Sequence, residues 1–209
     1  MTILGVDPGS VITGYGALTY CGGRARLLAC GFIKPPAKLA FPDRLLLMHG
    51  DLCRVIAETR PTEVALEATF YGANVQTLMK MCHARGAILL ALAGAGLPVF
   101  EYSPREVKKA VVGNGNASKQ QVAFMVRTLF GAAAQSSEYD ASDALAVAMC
   151  HANRRPSPGL PNAAARFEEK LATATEGPGP ADALERKLAL LGVSGVRLRK
   201  RAPRRSGRR

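Results

Sequence analysis

Three places in the chain carry carboxylates in settings where folding alone does not ask for them. Asp7 ends the apolar run Ile3-Leu4-Gly5-Val6 and is followed at once by Pro8-Gly9. Such a run reads as a buried central strand, and an acid at its end sits where a sheet opens to solvent. Glu67 repeats the arrangement, closing the short apolar strand Glu63-Val64-Ala65-Leu66. Asp140 and Asp143 stand three residues apart in Asp140-Ala141-Ser142-Asp143-Ala144-Leu145-Ala146, which sets them side by side on one helical face, where like charges repel. Each acid has a plainer reading by itself: a turn cap for Asp7, an N-terminal cap for Asp140, a first-turn acid for Asp143. Together they form an all-oxygen set with no His or Cys cluster, which suits Mg²⁺ or Mn²⁺ better than zinc. Two such ions about 4 Å apart activate a water and stabilise the leaving oxygen in phosphodiester hydrolysis.

The elements that must position these acids follow in order. After Gly9, the run from Ile12 to Tyr20 alternates small and large residues, and Cys21-Gly22-Gly23 turns it into a third strand from Ala25 to Lys34. Pro35 and Pro36 end this antiparallel meander. Leu45, Leu46, Met48, Leu52, Val55 and Ile56 have helical spacing over 41–60, with Pro42 suited to the first turn. The strand ending in Glu67 comes after this crossover helix and is therefore parallel to the first, which brings Asp7 and Glu67 to the same sheet edge. A long helix over 73–93 is apolar on more than one face, through Leu78, Met79, Met81, Cys82, Ile88, Leu89, Leu90 and Leu92; it either serves two contacts or is wholly buried. A fifth strand spans 97–102, Ser103-Pro104 starts a short helix to Val112, and further helices run over 118–130 and 139–153.

The net charge of +12 is uneven: residues 1–153 carry 14 Lys/Arg against 11 Asp/Glu, and residues 154–209 carry 14 against 5. The excess points to a polyanionic partner, most simply nucleic acid, or to a tail that only aids solubility. Composition breaks at Arg154, so a globular domain over 1–153 and a Pro/Gly-rich basic extension over 154–209, partly helical or disordered, are expected. Its last stretch, 197–209, holds eight basic and no acidic residues. Five cysteines lie far apart without a C-x-x-C pair and read as free thiols, mostly core fillers. No signal-peptide pattern and no run of about 18 apolar residues is present, so a cytoplasmic protein with no membrane association is expected.

The ordered set Gly5-Val6-Asp7-Pro8-Gly9-Ser10, Thr13-Gly14-Tyr15-Gly16, Glu67 with Phe70, Ala84-Arg85-Gly86, Glu101-Tyr102, Val107-Lys108, Gly113-Asn114-Gly115 with Lys119, and Asp140-Ala-Ser-Asp143-Ala-Leu-Ala resembles the bacterial RuvC family of Holliday junction resolvases, over roughly residues 1–153. The resemblance implies an α/β, RNase H-like fold, a five-stranded mixed sheet with three antiparallel strands and then two parallel, flanked by helices. It implies a homodimer that resolves four-way junction DNA by paired, Mg²⁺-dependent nicking in recombination and repair, working with the RuvA and RuvB branch-migration proteins. Carried over, the catalytic and metal-binding acids are Asp7, Glu67, Asp140 and Asp143. Asp7 would bridge two ions per subunit, with Mn²⁺ able to substitute, Glu67 would complete one, Asp143 the other, and Asp140 would assist. Phe70 would stack on bases at the junction, with a buried loop anchor as the alternative. Lys108, Lys109, Lys119 and Arg85 would contact nucleic acid, against a merely solvated basic face. His83 stands where relatives commonly have Gln.

Two rivals share these features. Sugar kinases and actin-like ATPases open on a related Asp-bearing strand and turn, but need a second phosphate-binding lobe for which 209 residues leave no room. A noncatalytic or RNA-processing relative of the same fold would be marked by a lost acid, and all four acids are present.

Overall fold

The computed structural model describes residues 1–68, 74–131 and 139–154, without the side chains of Tyr139 and Asp140. Phe70 and the extension beyond Arg154 lie outside the described residues. Five strands, β1 (Thr2–Asp7), β2 (Thr13–Cys21), β3 (Arg24–Ile33), β4 (Glu63–Glu67) and β5 (Val99–Tyr102), form one sheet in the order β3-β2-β1-β4-β5. β1 to β3 are antiparallel, and β4 and β5 join parallel to β1, as expected. Gly22 and Gly23 make the β2–β3 turn with φ of 55° and 76°, the left-handed pair that suits the twist of a two-residue hairpin. β5 begins two residues later than the expected 97–102, because Pro98 has no N–H to give the ladder, although its carbonyl accepts the Val64 N–H at 2.9 Å.

Helices α1 (Phe41–Thr59) and α2 (Val75–Gly94) cover one face of the sheet; α3 (Pro104–Val112), α4 (Lys119–Phe130) and α5 (Tyr139–Arg154) cover the other. Alternation along the strands divides the core in two. Leu4, Val6, Val64 and Leu66 pack with Met48, Leu52, Ile88 and Leu92 on the first face. Ile3 and Ala65 pack with Val107, Val126, Leu145 and Ala148 on the second. Side chains two residues apart share a face, so Asp7 follows Ile3 and Glu67 follows Ala65 onto the side of α5.

The caps explain where the helices start. Ser103 and Ser118 each accept from the N3 backbone N–H, while Glu106 and Gln121 reach back, two complete capping boxes. α2 starts at Val75 because Asn74 accepts from the Thr77 N–H at 3.1 Å. Its apolar surplus is divided: Ala84, Ile88, Ala91 and Leu92 are buried, while Val75, Met79, Cys82, Gly86 and Leu90 form an exposed stripe. No two cysteines are joined in a disulfide; Cys150 is buried, Cys30 and Cys53 pack half-buried against the two cores, and Cys21 and Cys82 are exposed, so the core-filler reading holds for three of the five.

Candidate active site

Asp7 and Glu67 meet because their strands are parallel neighbours. The β1–β4 register runs Ile3↔Glu63 to Val6↔Leu66, and one further step sets Asp7 beside Glu67, close enough for the two carboxyls to share a hydrogen bond. The turn after Asp7 is tied back on itself: Thr13 Oγ1 donates to the Gly9 carbonyl at 3.2 Å, and Arg44 of α1 donates to the Ser10 carbonyl at 2.7 Å. The third acid arrives on α5, which lies against the sheet backbone to backbone. A Cβ at Gly5 would strike the Ala144 carbonyl and stand 2.7 Å from the Ala148 nitrogen; at Gly16 it would stand 2.7 Å from the Leu145 side chain. Small residues on both surfaces thus permit the close approach that carries Asp143 to the edge.

Asp143 is 15% exposed, and its Oδ2 accepts from Lys119 Nζ at 3.1 Å, at the first turn of α4. Burial raises the Asp7 pKa well above that of an ordinary carboxylate, and the hydrogen bond and charge of Glu67 and the charge of Asp143 push it further. Burial also raises Glu67, with Asp143 adding to the effect and the bond from Asp7 opposing it. The pair therefore shares a proton that isolated carboxyls would have lost. Lys119 is raised mainly by Asp143, with Asp7 and Glu67 contributing.

Glu67, Lys119 and Asp143 line a cleft of about 210 Å³ together with Pro104, Val107, Lys108, Val122 and Ala146, and Asp7 stands beside Glu67. Among the described residues no three His, Cys, Asp or Glu side chains already close on a single point as a metal cage. The donor set nevertheless fits a hard divalent cation: it consists of carboxylate oxygens only, crowded and partly buried, whose mutual repulsion a 2+ charge would relieve. Asp140 lies on α5 one turn before Asp143.

The expected nucleic-acid contacts separate. Lys108 and Lys119 line the cleft, whereas Lys109 is exposed and faces a larger cavity, about 710 Å³, bordered by Arg105, Glu106 and Arg154 on the other side of α3. Arg85 is 13% exposed and turned inward to the Glu67 carbonyl and Glu101, which differs from the expected DNA contact. His83 is exposed, edge-on to Phe41.

Sequence reasoning missed His151, which is fully buried on α5. Its Nε2 lies 2.7 Å from Glu63 Oε2, its Nδ1 2.7 Å from the Tyr102 hydroxyl, and its ring 4.6 Å from that of Phe100. Both ring nitrogens of His151 are thus engaged, Nδ1 with the Tyr102 hydroxyl and Nε2 with the Glu63 carboxylate. Burial pushes the Tyr102 hydroxyl up to about 12, so it remains a donor.

A family model described as "Crossover junction endodeoxyribonuclease RuvC" matches residues 3–151. Curated proteins of that name include one from Pelotomaculum thermopropionicum, 44% identical over 73% of this chain and 93% of the relative, and one from Trichlorobacter lovleyi, 48% identical over 73% and 85%. A solved structure titled "T. thermophilus RuvC in complex with Holliday junction substrate" aligns with a TM-score of 0.68 at 34% identity, covering 73% of this chain and 93% of that one. The sheet order, the flanking helices and these matches agree on an RNase H-like fold. The chain belongs to the RuvC family of crossover junction endodeoxyribonucleases.

Proposed function

We propose that this chain is a divalent-metal-dependent endodeoxyribonuclease that resolves four-way (Holliday) junctions by paired, symmetric nicking during recombination and repair. The meeting of Asp7 with Glu67 and Asp143, the latter two lining a cleft with Lys108 and Lys119, is the observation that carries this reading. The Thermus relative's junction complex supports four-way DNA as the substrate.

Asp7, Glu67 and Asp143, with Asp140 assisting, would hold Mg²⁺, two ions per subunit in our reading, with Mn²⁺ able to substitute. When bound, the ions would supply an activated water and stabilise the leaving oxygen. The chain's own part begins with the proton that Asp7 and Glu67 share, which must be released before both carboxylates can bind a cation. Asp143 has to exchange the Lys119 ammonium for the cation, which frees Lys119 to meet a phosphate beside the cut. Lys108 lines the same cleft and adds to that attraction, while Lys109 would reach backbone farther from it. Phe70, three residues beyond Glu67, would stack on unpaired bases.

Paired nicking needs two centres, and the exposed α2 stripe of Val75, Met79, Cys82, Gly86 and Leu90 supports a second copy of the chain as its cover. RuvA and RuvB are the proposed branch-migration partners, and the cytoplasm the proposed location. Among the described residues no helix is long and apolar enough to cross a membrane. The basic extension would add sequence-independent DNA affinity, so truncation near residue 155 should flatten the salt dependence of junction binding; an unchanged slope would count against this role.

The test is nicking of a synthetic four-way junction with Mg²⁺. Cleavage should spare linear duplex and disappear in Asp7→Asn. Cleavage that persists in that variant would mean the centre has been misassigned.

A further inference from the structure

The end of β4 has a hydrogen-bonding problem. Glu67 is the last residue of the strand, and its carbonyl needs a donor. On the β1 side the residue after Asp7 is Pro8, which has no N–H. On the β5 side Val64 and Ala68 donate to the Pro98 and Tyr102 carbonyls at 2.9 and 2.8 Å, so the alternate residue Glu67 turns its carbonyl away from β5. Neither neighbouring strand supplies a donor to the Glu67 carbonyl.

Arg85 supplies the missing donor from α2. One guanidinium nitrogen, Nη1, donates to the Glu67 carbonyl at 2.6 Å; the other, Nη2, lies 2.9 Å from Glu101 Oε1. Glu101 sits on β5 opposite Leu66, on the face away from Asp7 and Glu67. A rigid fork with one prong on the backbone of β4 and the other on a side chain of β5 fixes both the height and the direction of the last β4 residue. Arg85 is 13% exposed and both its outer nitrogens are occupied, so it has little to offer a phosphate.

From this geometry we infer that Arg85, with Glu101 as its anchor, is a positioning residue for the Glu67 carboxylate and not a DNA contact. The inference rests on the reading of Glu67 as a metal-binding carboxylate. It acts through the backbone: the peptide that Arg85 grips is the one that carries the Glu67 side chain toward Asp7. Displacements of about 1 Å at a reacting centre cost on the order of a hundredfold in rate, so loss of the fork should appear in chemistry and ion binding before it appears in substrate binding.

The experiment compares wild type with Arg85→Gln, Arg85→Lys, Glu101→Gln and Glu67→Gln in three measurements: junction binding without divalent ions, single-turnover nicking at saturating protein, and Mn²⁺ titration of the DNA-free protein. Arg85→Gln should bind junction within about threefold of wild type with an unchanged salt slope, weaken Mn²⁺ binding about tenfold or more, and nick about a hundredfold more slowly. Arg85→Lys, which keeps one donor, should recover part of both losses, and Glu101→Gln should fall between it and wild type. Should Arg85→Gln misfold on melting, Arg85→Lys and Glu101→Gln decide by the same readings. A salt slope reduced by about one with Mn²⁺ binding and saturated nicking intact would overturn the inference and return Arg85 to the DNA surface. Retained nicking in Glu67→Gln would instead sink the underlying reading of Glu67, whereas a dead Glu67→Gln beside unaltered Arg85 and Glu101 variants sinks the positioning role alone.

Discussion

Replacing Asp7 by asparagine should stabilise the metal-free protein while ending its chemistry. Asp7 is pressed against Glu67 with Asp143 nearby, and burial first, then these two acids, raise its pKa above 3.8. Below that value folded and unfolded chains both hold the proton, and the site carries no penalty. As pH rises, the unfolded chain loses the proton while the folded one must keep it or bear a buried charge; stability therefore falls until pH passes the folded-state value. Each pH unit lying between the unfolded and the folded value costs about 1.4 kcal/mol. For a domain of roughly 150 residues each such unit is about 3–5 °C in the melting midpoint. Asparagine has nearly the same shape, can share the hydrogen bond with Glu67 and is uncharged at every pH. Melting both proteins in EDTA at pH 5, 6.5 and 8 should show the variant ahead at pH 8 and its lead shrinking toward pH 5. Added Mg²⁺ should raise the wild-type midpoint and leave the variant nearly unmoved. A variant no more stable than wild type at pH 8, or a gap indifferent to pH, would refute the reasoning.

Other substitutions separate packing from charge. Gly5→Ala puts a methyl group into the Ala144 carbonyl and 2.9 Å from the Ala148 Cβ, so α5 must lift; a cost of about 1–3 kcal/mol in a denaturant melt is expected, with nicking reduced further because Asp143 moves with Ala144. Lys119→Gln removes an ion pair whose lysine is 70% exposed, so stability should change by less than about 1 kcal/mol, while the salt slope of junction binding drops by about one. Tyr102→Phe leaves the buried His151 Nδ1 without its partner and should cost about 1–3 kcal/mol in thermal or denaturant unfolding, though the residue lies outside the cleft lining.

The candidate site was legible because its residues announce themselves locally. An apolar run that closes on an acid declares both a strand and the edge at which it ends, so Asp7 and Glu67 could be found and paired from the order of elements alone. Ser103 marked its helix because an N-cap followed by Pro104 is written within two residues. Arg85 could not be read this way: its acceptors are a main-chain carbonyl 18 residues earlier and Glu101 on another strand, and nothing near Arg85 in the sequence distinguishes an inward fork from a surface charge. The two faces of α2 were undecided for a related reason, since an apolar stripe looks the same whether it meets a sheet or open solvent. The tail, Phe70 and the Asp140 side chain fall outside the described residues.

His151 shows most clearly what sequence could not supply, which is the distance scale of the site. Its bond to Glu63 fixes one end of α5 over the start of β4, and Asp143 reaches the cleft beside Glu67 at the end of the same strand. From Asp143 to His151 is eight helical residues, about 12 Å; from Glu67 back to Glu63 is four strand residues, about 13 Å. The two spans match, so anchoring the histidine sets the aspartate alongside its partner without any contact at the cleft itself. A slide of α5 by one residue would shift Asp143 by about 1.5 Å along the axis and rotate it by about 100° away from the edge. Acids in the right order do not by themselves make a centre. On the proposed reading, the buried histidine two turns away, together with the Gly5 contact that lets the helix lie close, is what brings Asp143 to Glu67.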